Sequence, residues 1–346
     1  MAKRIVAIYD RGIDKNLMQG FDVLEKYGYE LTLVEKTVNE DELAYQNSML
    51  SVEVNGPDGT PINEEVFQYL DGAEIIITHF APVSRRMIEA AKNLKIIATL
   101  RTGMENINME AAKERGIKVI NAPGRAAVAV ADFTVAAMLC EIRNIARTDE
   151  DIKTGGWTKK YPNRTYSDNM CNLKVGLVGF GDIGRKIATR LKGFGTTILA
   201  YDPYCTKESI EAFGCVPVSL DELLEQADFV SLHVRLSPQT QNMFGAAEFA
   251  KMKPTAIFVN AARAGLVDEA AMIDALEQKK IGGAVLDVFR EEPLPVDHPL
   301  RKLKNVTLSA HLAGTDIGTF SGSIKIVADN LEQYFSGGEL KNVVNH

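Results

Sequence analysis

Short apolar runs rich in valine and isoleucine alternate along the chain with segments whose apolar positions recur every three to four residues. That is the pattern of parallel strands joined by helices. In the first third the runs fall at 4–9, 30–34, 74–78, 95–100 and 117–120, predicting one five-stranded sheet. Residues 84–93 and 108–115 between them carry helical spacing, the second ended by Gly116 as a C-cap. The turn-rich stretch 52–61, with Asn55-Gly56-Pro57-Asp58-Gly59, reads as a surface loop. After Asn121-Ala122-Pro123-Gly124 one long helical pattern runs from about 128 to 151, rich in small apolar residues and suited to connecting two domains. Beyond a polar, aromatic stretch at 154–172, six further runs at 174–178, 197–201, 229–232, 256–259, 283–286 and 306–309 predict a second sheet. The last segment, 315–335, is helical and too short for a domain, so it must pack on an element already named.

Length and composition narrow the classes. At 346 residues the chain suits two domains. With 46% hydrophobic and 25% charged residues it has a globular composition, which excludes disordered and collagen-like chains. A net charge of -7 without a basic run argues against nucleic acid or an anionic membrane as partner. No window approaches the length of an apolar membrane span, and acidic residues follow the N-terminus too early for a secretory signal, so a cytoplasmic protein is expected. Cys140, Cys171, Cys205 and Cys215 lack the close pairing of a zinc site and read as packing thiols; no metal is expected.

The run at 174–178 is followed by Gly179-Phe180-Gly181-Asp182-Ile183-Gly184 and then by a helical segment, so G-x-G-x-x-G stands between strand and helix. Gly179 allows the tight turn, Gly181 lets a pyrophosphate approach the backbone, and Gly184 permits close helix-to-strand packing. The helix N-terminus offers free N–H groups to the phosphate. Alone, this motif is equally compatible with a structural turn. Asp202 adds to it, because it ends the next strand 18 residues after Gly184. A carboxylate there accepts hydrogen bonds from ribose hydroxyls and repels a 2′-phosphate, which favours NADH over NADPH.

Each run of the second series ends in a polar or glycine residue: Gly179, Asp202, His233, Asn260 with Arg263, Asp287 with Glu292, and His311. Open parallel sheets bind ligands at the carboxyl ends of their strands, so these residues are expected to line one crevice. With the strand order 3-2-1-4-5-6, the second and third runs, hence Asp202 and His233, lie under the adenosine. Arg263, Glu292 and His311 then belong beside the reactive ring. A guanidinium can hold a carboxylate bidentately and polarise a neighbouring carbonyl. A histidine can move the proton that carbonyl reduction requires, and a glutamate can fix its tautomer. Taken singly, each of the three is more readily a solvated cation, an acidic loop residue or a core histidine; together, at consecutive strand ends beside the glycine motif, they read as a site.

These residues resemble the D-isomer-specific 2-hydroxyacid dehydrogenase family. The segment 175–184 resembles its glycine motif, Val259-Asn260-Ala261-Ala262-Arg263-Ala264-Gly265 its arginine motif, Asp287-Val288-Phe289-Arg290-Glu291-Glu292-Pro293 its glutamate motif, and His311-Leu312-Ala313-Gly314 its histidine motif. The resemblance implies an NAD-dependent enzyme interconverting a D-2-hydroxy acid and its 2-oxo acid. Arg263 would bind substrate, His311 would be the acid/base, and Glu292 its partner. It implies cofactor contacts from Asp182, Ile183, Asp202, Ala261, Ala262, Arg263, Asp287, His311 and Gly314, which join Gly179, Gly181 and Gly184 of the glycine motif and His233 at its strand end. It also implies two discontinuous α/β domains: a flavodoxin-like substrate domain at 1–121 and 317–346, and a doubly wound dinucleotide domain at 122–316. A homodimer through the dinucleotide domain is expected, with the apolar helix after Val128 at its interface.

Arg101-Thr102-Gly103-Met104-Glu105-Asn106 resembles the family's carboxylate-binding loop, which makes Arg101, Thr102 and Gly103 candidate substrate contacts. Arg101 either reads a further anionic or hydroxylated group of the substrate or pairs with Glu105. His79, in Thr78-His79-Phe80-Ala81, stands where phosphoglycerate-specific members carry an arginine, which argues against phosphoglycerate. Ala264 and Arg235 replace a glycine and a proline usual in the family, without removing a chemical group. The other class the fold admits is a cofactor-sensing, corepressor-like binding protein. Formate dehydrogenation is opposed by Glu292, where such enzymes carry glutamine.

Overall fold

A computed structural model describes residues 3–37 and 42–345. The chain divides into two compact units, Met1–Arg125 with Asp316–His346 (unit 1) and Ala126–Thr315 (unit 2).

Unit 1 holds five parallel strands, β1 (Lys3–Tyr9), β2 (Tyr29–Glu35), β3 (Ala73–Thr78), β4 (Ile96–Thr99) and β5 (Lys118–Ile120), in the order β2-β1-β3-β4-β5. The two-residue period of a strand divides β1 between two cores. Ile5 and Ala7 pack with Phe21, Leu24 and the helix Ile317–Phe335 through Ile324, Val327 and Leu331. Val6 and Ile8 pack with Val66, Leu70, Met87 and Ile88 on the other face. The C-terminal helix therefore finishes the first core of the chain, although it is last in sequence. Burying each such aliphatic side chain contributes about 1.5–3 kcal/mol.

The stretch expected as a surface loop at 52–61 is largely helical, within Glu42–Gly59. The turn signal marks only its break, where Gly56 takes φ 67°, and Val52 is buried. Tyr45, on a preceding turn of the same helix, is buried as well, and tertiary packing of this kind overrides local turn chemistry.

Unit 2 holds seven parallel strands rather than six: β6 (Lys174–Val178), β7 (Thr197–Tyr201), β8 (Val216–Pro217), β9 (Phe229–Leu232), β10 (Ile257–Asn260), β11 (Gly283–Leu286) and β12 (Val306–Leu308). Their order is β12-β11-β10-β9-β6-β7-β8. The strand missed by periodicity, β8, has only two residues, one a proline, and proline is tolerated at such an edge. Its presence moves β9 to fourth place, beside β6. His233, after β9, therefore stands across the switch point from Asp202, not with it on the adenosine side.

The single long helix expected after Val128 is two, Ala127–Ile142 and Ile145–Lys153. Between them Asn144 adopts φ 56°, and its side-chain amide donates to Asn163. Ala131, Val135, Met138 and Ile142, spaced on one helical face, pack against the sheet with Ile187, Ala188 and Leu191. Among the described residues no helix is long and apolar enough to cross a membrane.

Candidate active site

The glycine turn of unit 2 lies between β6 and the helix Asp182–Lys192. Gly179 has φ 98°, and a Cβ there would meet the His233 backbone at 2.7 Å; one at Gly184 would meet the Gly179 carbonyl oxygen at 2.5 Å. At Gly181 a Cβ would meet nothing within 4 Å. Two glycines are thus required by the fold itself, while the middle one leaves backbone open to a ligand. No side chain caps the helix at Gly181, so its first N–H groups keep their capacity for an anion. Asp182 is exposed and pairs with Lys186 at 3.2 Å, and Ile183 is half-buried.

Asp202 follows β7, and its two carboxylate oxygens accept the N–H groups of Phe180 (2.7 Å) and Tyr204 (2.8 Å). It borders a pocket lined also by Tyr201, Lys207, Val218 and Glu222. These features fit a dinucleotide, with the pyrophosphate over Gly181 and the ribose at Asp202. His233 bonds Ser231 Oγ through Nε2 at 2.8 Å, and burial pushes its pKa down to about 3, so it is neutral.

The next three neighbouring strands carry the candidate chemistry. After β10, Asn260 accepts the Ala262 N–H and donates to the Arg263 carbonyl, which shapes the turn Ala261-Ala262-Arg263 and presents Arg263 as an exposed side chain. Its guanidinium donates to the Ala262 carbonyl oxygen at 2.7 Å. After β11, Glu292 accepts the Phe289 N–H through Oε1 at 2.9 Å. Its Oε2 lies 2.8 Å from Nδ1 of His311, the residue three positions beyond β12. A carboxylate only accepts, so Nδ1 carries the proton and Nε2 is the atom that can exchange one.

His311 itself has φ 55°, the left-handed region, which costs a non-glycine residue about 1–2 kcal/mol. Asp287, 1% exposed at the end of β11, holds that loop. Its Oδ1 accepts the Ser309 hydroxyl (2.6 Å) and the Leu312 N–H (2.8 Å), and its Oδ2 the Ala313 N–H (2.9 Å). Besides the cofactor contact expected of it, Asp287 thus holds the backbone and side-chain donors of the loop that carries His311. Gly314 packs close to Ala126, where a Cβ would come within 3.4 Å.

In unit 1, Arg101 is mostly buried, with its guanidinium 4.0 Å over the Phe80 ring and 3.5 Å from Glu105. The Glu105 carboxylate also lies against Gly103, and the Thr102 hydroxyl donates to the Ala122 carbonyl. His79 is buried against Asp10. Sequence reasoning singled out neither Asp10 nor Arg125, which join His79 in unit 1. The rule that located the residues of unit 2, inspection of the positions just past each strand, finds both when applied to the first sheet.

A glycine turn with open backbone, an acidic residue at the next strand end and a histidine–glutamate pair at adjoining strand ends stand at the carboxyl edge of one parallel sheet, the arrangement of a dinucleotide-binding α/β unit. Residues 135–313 match the family described as D-isomer specific 2-hydroxyacid dehydrogenase, NAD binding domain, and the chain belongs to that family. It is 39% identical to a D-3-phosphoglycerate dehydrogenase of Methanocaldococcus jannaschii over 82% of this chain and 53% of that one, so it spans about half that relative's length. It is 39% identical to a glyoxylate reductase of Korarchaeum cryptofilum over 76% of this chain and 80% of that one. A D-isomer specific 2-hydroxyacid dehydrogenase from Lactobacillus delbrueckii ssp. bulgaricus, solved in its NAD-complexed form, shares the fold with a TM-score of 0.79 at 24% identity, covering 99% and 100% of the two chains.

Proposed function

We propose that the chain is an NADH-preferring enzyme that reduces a 2-oxo acid to the D-2-hydroxy acid, and catalyses the reverse. The observation that carries this reading is the His311–Glu292 pair, 2.8 Å apart, at strand ends adjoining that of Arg263. Gly181, with the helix start at Asp182, would hold the pyrophosphate, and Asp202 would hold the ribose diol and repel a 2′-phosphate. The cofactor, when bound, supplies or takes up the hydride.

His311, protonated on both nitrogens, gives its Nε2 proton to the carbonyl oxygen in reduction; with Nε2 bare it takes the hydroxyl proton in oxidation. Glu292 keeps Nδ1 protonated throughout and offsets the charge of the imidazolium. Arg263 gives up its bond to the Ala262 carbonyl and presents its fork to the substrate carboxylate. In unit 1, Arg101, Thr102, Gly103 and His79 are the candidate substrate contacts. Unit 2 further serves as the contact of a homodimer. Val128, Ile145, Ile152 and Trp157 are 52%, 58%, 48% and 81% exposed, a concentration of apolar surface in one segment that suits association.

The test is NADH oxidation, followed by absorbance, against glyoxylate, hydroxypyruvate, pyruvate and longer 2-oxo acids. Turnover with at least one is expected. His311→Asn should lower it by about 100-fold or more while leaving NADH affinity close to that of the parent. Asparagine tolerates the left-handed backbone, so this variant separates the chemistry from the loop geometry. Binding of NADH without oxidation by any acid of the panel would point instead to a cofactor-sensing protein.

A further inference from the structure

We propose that Glu141, Arg147 and Thr307 fix the register of β12 against β11, and that Glu141 and Arg147 are therefore positioning residues for His311. The role for His311 rests on the dehydrogenase reading above; the hold on β12 does not. β12 is a three-residue strand at the edge of its sheet, with β11 beside it. His311 stands three positions past its end. Whatever sets the lengthwise position of β12 thus sets the height of His311. A slip of one residue would move it by about 3.3 Å, and a misplacement of about 1 Å at a reacting group can cost about 100-fold in rate.

The ladder between the two strands is short: Ala284, Val285 and Leu286 pair with Val306, Thr307 and Leu308. A strand register is specified by the faces its side chains must occupy, and here they are unequal. Val306 and Leu308 pack against the core that holds Ala284, Leu286 and Leu300, and Thr307 between them turns to the opposite face. There the helix Ala127–Ile142 presents Glu141, 1% exposed, whose carboxylate accepts the Thr307 hydroxyl at 2.6 Å. The same carboxylate packs on the start of β11, where a Cβ at Gly283 would come within 3.3 Å of it. One buried group therefore touches both strands.

Arg147, from the helix Ile145–Lys153, closes the arrangement. Its Nη2 lies 2.8 Å from each Glu141 carboxylate oxygen, its Nη1 donates to Asn144 Oδ1 (3.1 Å), and its Nε donates to the Lys304 carbonyl oxygen (2.7 Å), two residues before β12. The strand is thus gripped at its approach by a guanidinium and at its middle by a carboxylate. Burial raises the pKa of Glu141 although Arg147 and Thr307 oppose the shift. A buried ion pair of this kind is a poor source of stability, and apolar side chains of similar volume serve as well. What apolar side chains cannot do is select the residue opposite them. A one-residue slip would set Val306 or Leu308 against the carboxylate and the Thr307 hydroxyl in the apolar core, depriving the hydroxyl of its acceptor and the carboxylate of a donor.

Three variants of the full chain test the proposal. Thr307→Val removes only the hydroxyl, Thr307→Ser keeps it, and Glu141→Met combined with Arg147→Met replaces both charges by apolar side chains. Thr307→Val should lower kcat by about 10-fold and the double variant by about 10- to 100-fold, with NADH affinity within a few-fold of the parent's and a melting temperature close to it. Thr307→Ser should keep the parental kcat. Amide hydrogen exchange at Ser309, whose N–H donates to the Leu286 carbonyl at 3.0 Å, should accelerate in Thr307→Val and in the double variant but not in Thr307→Ser. A parental kcat in Thr307→Val or in the double variant, a Thr307→Ser as slow as Thr307→Val, or a lowered kcat with parental exchange at Ser309 overturns the positioning role. So does a loss of kcat matched by equal losses of NADH affinity and melting temperature, the pattern of a merely structural pair. If the double variant does not fold, the two Thr307 variants decide. If the parent reduces no 2-oxo acid, the dehydrogenase reading falls and exchange at Ser309 judges the hold on β12 by itself: acceleration upholds it, and a parental rate overturns it.

Discussion

Replacing Asp287 by asparagine tests whether the candidate acid/base is held in place by its neighbour at the end of β11. The side chain keeps its shape, but an amide offers one oxygen where the carboxylate offers two. If that oxygen keeps the Ser309 hydroxyl and the Leu312 N–H, the amide NH2 faces the Ala313 N–H, donor against donor. Leaving one buried N–H unmet costs about 1–3 kcal/mol, and the two remaining bonds lose charge assistance worth roughly 1 kcal/mol each, for a total of about 3–5 kcal/mol. The loop has an alternative within that range, because leaving φ 55° relieves His311 of about 1–2 kcal/mol. Asp287→Asn should therefore lower kcat by about 10- to 100-fold through displacement of His311. NADH affinity should stay within a few-fold, and amide hydrogen exchange at Leu312 and Ala313 should accelerate. Ser309→Ala removes one of the three bonds and should give a smaller effect in the same direction. A parental kcat in Asp287→Asn with unchanged exchange would refute the positioning role, and a selective loss of NADH affinity would show that the cofactor contact of Asp287 dominates.

The geometry sets three other outcomes. Arg263→Lys should raise KM and lower kcat together, about 10-fold or more in kcat/KM, because an ammonium cannot reproduce the two-pronged contact; an unchanged kcat/KM would remove Arg263 from the substrate site. Asp202→Ser should shift the NADH:NADPH ratio of kcat/KM towards NADPH by loss of repulsion at the 2′ position, and an unaltered ratio would show that Asp202 does not meet the ribose. His233 has a folded pKa of about 3, below the unfolded value of about 6.5, so its contribution to stability is complete above about pH 6.5 and is lost as pH falls towards 3, at up to about 1.4 kcal/mol per pH unit. His233→Gln should flatten the decline of the melting temperature between pH 6.5 and 4, and a slope equal to the parent's would contradict burial as its cause.

The β11 and β12 ends illustrate what a linear reading can and cannot reach. Glu292 and His311 are 19 residues apart, and their pairing was inferred because both come after strands of one predicted sheet. Residue type plus strand order was sufficient. The hold of Asp287 on three groups of the His311 loop was not legible, since nothing in a strand-end aspartate says whether it faces ligand or backbone; only closed hydrogen-bond geometry decides. The failures of secondary structure have similar origins. Asn55-Gly56-Pro57 signals a break but not the helix it ends, and Val216–Pro217 is too short to show a period, yet as an edge strand it displaces β9 and with it His233.

The two sheets also explain why the cofactor side was easier to read than the substrate side. A pyrophosphate and a ribose impose one set of demands, free backbone N–H groups and an acidic strand end, and the residues proposed to meet them, Gly179, Gly181, Gly184 and Asp202, follow that common pattern. A variable substrate imposes no common trace. In unit 1 the polar strand ends cohere only through side-chain contacts between residues 69 and 46 positions apart, Asp10 with His79 and His79 with Arg125. Each step is an ordinary pair in sequence terms. Their sum is a buried histidine with a carboxylate at one ring nitrogen and a guanidinium at the other, an arrangement that only the folded sheet brings together.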